Sequence, residues 1–71
     1  MQEATHTLNA ILLIKEKFDA ISIYLTERTL RIWCATEANN YNKIFGHGGV
    51  TAIQRATGIS RPTIHAGLHE L

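Results

Sequence analysis

Hydrophobic residues near the start of the chain recur at steps of three and four, which is the spacing of a helix face and not of a strand. Thr7 is a suitable N-cap, because its hydroxyl can accept a hydrogen bond from a first-turn amide. The pattern predicts a first helix over residues 8–24. Its buried face is expected to consist of Leu8, Ile11, Ile14 or Leu12, Phe18, Ile21 and Leu25.

The helical spacing resumes after Thr26, which is a second suitable N-cap. Glu27 would place a negative charge at the positive end of the helix dipole. The run "ANNYN" at 38–42 is a poor helix interior, so the second helix is predicted to cover residues 27–40. Its apolar positions include Trp33 and Cys34, and we expect both of these side chains in the core.

Glycines cluster in "FGHGG" and predict a loop that lets the chain turn close to Trp33. A short helix is predicted next, and Gly58 would end it, because glycine readily takes the left-handed conformation found at helix ends. Ser60 is a suitable N-cap for a last helix, whose buried stripe is expected to be Ile64, Leu68 and Leu71. The prediction is an all-α fold in which a single domain, residues 1–71, has four helices and a helix-turn-helix over residues 50–70.

Composition narrows the class of protein only slightly. The chain has 71 residues, a net charge of +1 and a single cysteine, so it has no internal disulfide. The opening "MQEATHT" lacks the basic start of a signal peptide, and the longest apolar run, "AILLI", is too short to cross a bilayer. We therefore expect a soluble cytoplasmic protein. Positive charge is concentrated after Asn42, which is a weak indication of phosphate binding.

The candidate site is the outward face of the last helix, because residues near the start of such a helix reach base edges when it lies in a major groove. Arg61 can pair with a guanine, and Ser60 and Thr63 suit phosphate contacts. Gln54 is unusual, since DNA-binding examples favour a small residue four positions before the turn glycine. Either its aliphatic stem lies along the helix crossing or the two helices sit farther apart. The full set of candidate DNA-binding residues is Lys43, Arg55, Ser60, Arg61, Pro62, Thr63, His65, Ala66 and His69.

Several short motifs occur in an order that resembles a known family. They are "EKF" at 16–18, "ER" at 27–28, Trp33, "TEA" at 36–38, "GHGG" at 46–49, "ATG" at 56–58, "SR" at 60–61, "TI" at 63–64, "GL" at 67–68 and "EL" at 70–71. Together they resemble the N-terminal region of bacterial DDE insertion-sequence transposases of the ISAzo type. The resemblance covers about residues 14–71.

This resemblance implies a domain that binds double-stranded DNA at transposon ends, in the bacterial cytoplasm and associated with the nucleoid. It does not imply an enzyme or a cofactor, because the acidic catalytic triad of the family lies in a later domain. Family members usually have two basic residues between "TI" and "GL", where this sequence has His65 and Ala66. That difference implies either weaker phosphate contact or another site preference.

Other interpretations remain open. His65 and His69, with His47, could in principle hold zinc, but a fourth ligand is lacking, so no metal is expected. The "FGHGG" loop could instead cradle a phosphate through backbone amides. A second class of function is a protein-interaction module, because the run Ile11–Ile14 covers more than one stripe of the first helix and could pair with another copy of the chain.

Overall fold

The computed structural model describes residues 2–71, with side chains from residue 5 onward. Four α-helices follow one another: α1 is Gln2–Ile21, α2 is Glu27–Phe45, α3 is Gly49–Thr57 and α4 is Arg61–Glu70. A 3₁₀ turn, Ser22–Tyr24, follows α1. Over residues 2–71 there are no strands, so the predicted all-α class and the four helices are confirmed.

The predicted start of α2 is confirmed by its hydrogen bonds. The backbone N–H of Thr29 donates to Oγ1 of Thr26 at 3.2 Å, and the backbone N–H of Thr26 donates to Oγ1 of Thr29 at 2.7 Å. This reciprocal pair is a capping box in which threonine replaces the usual glutamate or glutamine. Glu27 lies in the first turn, where its charge complements the helix dipole.

Three predicted helix boundaries differ from the structure. α1 ends at Ile21, three residues before its predicted end, and the 3₁₀ turn takes the place of its last predicted turn. Thr7 lies inside α1 and does not cap it, because the helix already includes Gln2. α2 continues past Asn40 to Phe45 and ends at Gly46, which has a positive φ of 89°. The poor helix formers at 38–42 are helical because tertiary contacts outweigh their propensity. Tyr41 is buried there, and its ring packs against Phe45 with centroids 4.5 Å apart.

All four helices contribute to one hydrophobic core. It contains Ile11 and Ile14 of α1, Cys34, Ala38 and Tyr41 of α2, Ala52, Ile53 and Ala56 of α3, and Ile64 of α4. Two residues expected in buried stripes are instead on the surface, because the helices are placed so that these positions face solvent. Leu8 is 49% exposed and Leu71 is 60% exposed. Trp33 is half-buried and packs against Phe18, with ring centroids 5.9 Å apart.

α3 and α4 both approach the backbone of α2 at a glycine. A Cβ atom at Gly67 of α4 would lie 2.1 Å from the carbonyl oxygen of Arg31 and 3.2 Å from Cβ of Ala35. A Cβ atom at Gly49 of α3 would lie 2.2 Å from the carbonyl oxygen of Ala38. Such distances leave no room for a side chain, so α2 is the helix against which α3 and α4 are held.

Candidate nucleic-acid interface

The connection between α3 and α4 is short and stabilised by local hydrogen bonds. Gly58 ends α3 with φ of 76°, and its backbone N–H donates to the carbonyl oxygen of Gln54. Oγ1 of Thr57 accepts a hydrogen bond from the backbone N–H of Ile59 at 3.1 Å. Oγ of Ser60 accepts one from the backbone N–H of Thr63 at 3.4 Å, so Ser60 is the N-cap of α4 as predicted. These hydrogen bonds determine where α3 ends and where α4 begins.

Residues of α4 divide into a buried side and a solvent side. Ile64 is 0% exposed, Gly67 is buried and Leu68 is half-buried. The opposite side of the helix carries four of the candidate residues, and all of them are exposed: Pro62, His65, Ala66 and His69. Thr63 is half-buried, and its hydroxyl lies 2.9 Å from that of Ser60. The structure therefore brings most of the candidate residues together on one helix face.

Arg61 is exposed but does not extend freely into solvent. Its Nη1 atom donates to Oγ1 of Thr51 at 2.9 Å and lies 3.4 Å from Oε1 of Gln54. Both acceptors belong to α3, so the guanidinium lies across the two helices. The contact also accounts for Gln54, which is half-buried and directs its amide oxygen toward this arginine.

A small open cavity of about 330 Å³ lies beside Arg61. We call it the loop cavity; it is lined by Asn42, Gly46, His47, Gly48, Gly49, Val50, Thr51 and Arg61. Oδ1 of Asn42 accepts a hydrogen bond from the backbone N–H of Gly49 at 2.8 Å, which joins the end of α2 to the start of α3. The expectation that this loop turns close to Trp33 is wrong. A Cβ atom at Gly48 would lie 3.7 Å from the ring of Tyr41, so the loop packs against Tyr41.

The two remaining candidate cations lie in different places. Arg55 is exposed in the last turn of α3. Lys43 is exposed near the end of α2, but it borders another cavity, a groove of about 420 Å³ between α1 and α2. This groove is lined mainly by apolar residues, including Leu13 and Ile44. The structure thus places Arg55 on α3 beside the candidate helix and Lys43 at a separate groove.

Glu70, the acidic residue of α4, forms an ion pair with Arg31 of α2. Oε1 of Glu70 accepts a hydrogen bond from Nη2 of Arg31 at 3.0 Å, and both side chains are about one-third exposed. This ion pair links the end of α4 to α2. It also offsets the one negatively charged side chain of α4, which is adjacent in sequence to His69.

Chemical groups typical of an active site are not gathered at this face. Burial, with a smaller contribution from the charge of Glu37, raises the pKa of the Cys34 thiol to about 11, so this cysteine is a poor nucleophile. Among the residues whose side chains are described, no three His, Cys, Asp or Glu residues lie close enough together to hold a metal ion.

Within the described part of the chain, no helix is both long and apolar enough to cross a membrane.

The sequence pattern did not reveal that Thr51 and Gln54 are hydrogen-bond partners of Arg61. Their spacing of three places them on one side of α3, which was a usable signal. The pairing itself joins residues ten positions apart across a turn, so it depends on the relative placement of α3 and α4.

Comparison of the chain with protein-family models, curated proteins and solved structures gives no match.

Proposed function

We propose that α3 and α4 form a helix-turn-helix and that the chain binds double-stranded DNA, with α4 in the major groove. The observation that carries this proposal is the outward face of α4. The helix follows a tight glycine turn, and its N-terminus is capped by Ser60 and begins with Arg61. The outward face carries exposed polar and small residues, and the one acidic residue of the helix, Glu70, is paired with Arg31 of α2. A helix N-terminus and an arginine are both suited to contacts with phosphates and base edges.

The class of DNA comes from the resemblance to insertion-sequence transposases. The ordered motifs, in particular "ATG" at 56–58 and "SR" at 60–61, fall on the turn and on the cap and first residue of α4. They support a domain that recognises transposon ends in the bacterial cytoplasm. Because the catalytic acids of the resembled enzymes lie in a later domain, the activity proposed for residues 1–71 is binding and not strand transfer.

Few cations lie on α3 and α4, so binding by this domain should depend weakly on salt. With Arg55 and Arg61 as the available charges and two exposed histidines as further basic groups, about two to four phosphates would be neutralised. The logarithm of the affinity should then fall with the logarithm of the salt concentration with a slope of about −2 to −4. A protein that neutralises six to ten phosphates would show a much steeper slope.

The test begins by selecting duplexes that the domain retains from a randomised pool. Affinity for a selected duplex and for a scrambled duplex is then measured by fluorescence anisotropy over a range of salt. Arg55→Ala should reduce the slope by about one, and Arg61→Ala should remove the preference for the selected duplex. Lys15→Ala is the matched control, because Lys15 is an exposed cation on α1 that is ion-paired with Asp19 at 3.1 Å. Equal affinity of the parent for selected and scrambled DNA would refute sequence-specific recognition.

A second function, self-association through α1, is favoured by a specific observation. Three leucines of this helix are on the surface: Leu8 is 49%, Leu12 is 56% and Leu13 is 61% exposed. Exposed apolar residues clustered on one helix often mark a protein contact. Sedimentation velocity at several concentrations tests this module. A concentration-dependent dimer that Leu12→Gln weakens would support it, and a monomer at all concentrations would exclude it.

A further inference from the structure

The guanidinium of Arg61, on α4, forms hydrogen bonds to two side chains on α3. Thr51 is exposed and Gln54 is half-buried, so neither acceptor is needed to fill the core. Both direct an oxygen toward the same nitrogen, Nη1 of Arg61, at 2.9 Å and 3.4 Å. A long charged side chain that would otherwise sample many rotamers is therefore held in one direction.

The choice of nitrogen matters for what Arg61 can still bind. A guanidinium has five N–H donors, of which Nη1 carries two. Thr51 and Gln54 both accept from Nη1, and the described hydrogen bonds leave the Nη2 and Nε edge without a protein acceptor. That edge presents two parallel N–H groups, the arrangement that matches the O6 and N7 acceptors of guanine in the major groove.

We infer that Thr51 and Gln54 are positioning residues that hold Arg61 for recognition of a guanine, an inference that rests on the proposed DNA binding. The glutamine replaces the small residue typical of this position because its amide oxygen helps to fix the arginine. Thr51 makes the shorter of the two contacts. Neither residue adds charge, so both affect base preference and not the general attraction to DNA.

The expected magnitude follows from the cost of ordering a flexible side chain on binding. Immobilising a side chain with many rotamers weakens binding by a factor of about 2 to 10 when the free protein has not already ordered it. Replacing both acceptors should therefore reduce the preference for the selected guanine over another base by about 2- to 10-fold. Arg61→Ala should abolish that preference, because it removes the contact itself.

The experiment uses near-isosteric variants, Thr51→Val and Gln54→Leu, singly and together, and compares them with Arg61→Ala. Affinity is measured for a selected duplex, for the same duplex with each guanine replaced in turn, and for scrambled DNA. In the double variant, preference at one guanine should fall while affinity for scrambled DNA and the thermal midpoint stay at parental values. A purely structural role of the two residues would instead change the thermal midpoint or weaken binding to all of these duplexes equally.

A second measurement does not require DNA. Relaxation of the Arg61 side-chain ¹⁵Nε nucleus in the free protein should indicate an ordered group in the parent and a mobile one in the double variant. Equal mobility in both proteins, or unchanged base preference in a double variant of a DNA-binding parent, would overturn the positioning role and leave the proposed function intact. A parent with no preference for selected DNA would overturn the proposed function and this inference with it.

Discussion

Replacement of Gly67 by alanine tests the closest approach between helices in this fold. Helix propensity alone would favour the change by about 1 kcal/mol, because Gly67 lies inside α4. The new Cβ atom would, however, lie 2.1 Å from the carbonyl oxygen of Arg31 and 2.7 Å from its carbonyl carbon. These atoms belong to the backbone of another helix and cannot rotate away, so α4 would have to move.

Movement of α4 away from α2 would loosen the packing around Ile64, which is fully buried. Overpacking of a well-packed core costs about 1–3 kcal/mol, and a clash with backbone belongs at the upper end of that range. After the gain in propensity we expect a net loss of about 2 kcal/mol in the free energy of unfolding. In a domain of 71 residues this lowers the thermal midpoint by about 8–16 °C.

Chemical denaturation followed by circular dichroism at 222 nm measures the change, with the free energy obtained by linear extrapolation. Ala66→Gly is the matched control, because Ala66 is the exposed neighbour of Gly67 in the same helix. It should cost about 1 kcal/mol from propensity alone. If Gly67→Ala were as stable as the parent or more stable, α4 would not lie against the backbone of α2, and the orientation of its outward face would also be wrong.

Three further expectations concern the core, the buried thiol and His65. Ile64→Ala should lower the free energy of unfolding by about 2–5 kcal/mol by leaving a cavity, and a thermal midpoint equal to that of the parent would show that Ile64 is not buried. Cys34 should react with a thiol reagent at pH 8 only after unfolding. Because burial raises the pKa of its thiol to about 11, the protonated form stabilises the fold fully below pH 9, and this stabilisation is lost as the pH rises through 11. The test measures the free energy of unfolding of the parent and of Cys34→Ala between pH 8 and pH 11. If it changed with pH equally in both proteins, the thiol would not cause the loss of stability. DNA binding should weaken in His65→Ala, because this exposed side chain lies on the outward face of α4. An affinity equal to that of the parent would show that His65 does not contact the DNA.

Local hydrogen bonding made several features of this fold predictable from sequence. Thr26 and Ser60 cap helices by accepting from amides three residues later, and Gly58 takes the positive φ that ends α3. Each of these features involves residues within four positions of one another, so residues close in sequence are sufficient to predict it. Ile64 was likewise predicted to be buried, because it lies on the apolar side of its helix, and it is fully buried.

Only the tertiary structure decided which surfaces meet. Helical spacing could not show that Leu8 and Leu71 are exposed, since apolar residues outnumber the positions that one small core can bury. Nor could it show that α2 continues to Phe45, because burial of Tyr41 outweighs the low propensity of its neighbours. Hydrophobic pattern specifies a face of each helix, whereas the partner of that face depends on contacts between distant residues.

The candidate interface divides in the same way. The outward side of α4, with His65 and His69, follows from the positions of Ile64 and Leu68 on the opposite side. The direction of Arg61 does not follow from α4 at all, because its acceptors lie on α3 and become available only when the turn brings the two helices together. Helix periodicity thus determined which residues share a face, and packing between helices determined how the one arginine on that face is held.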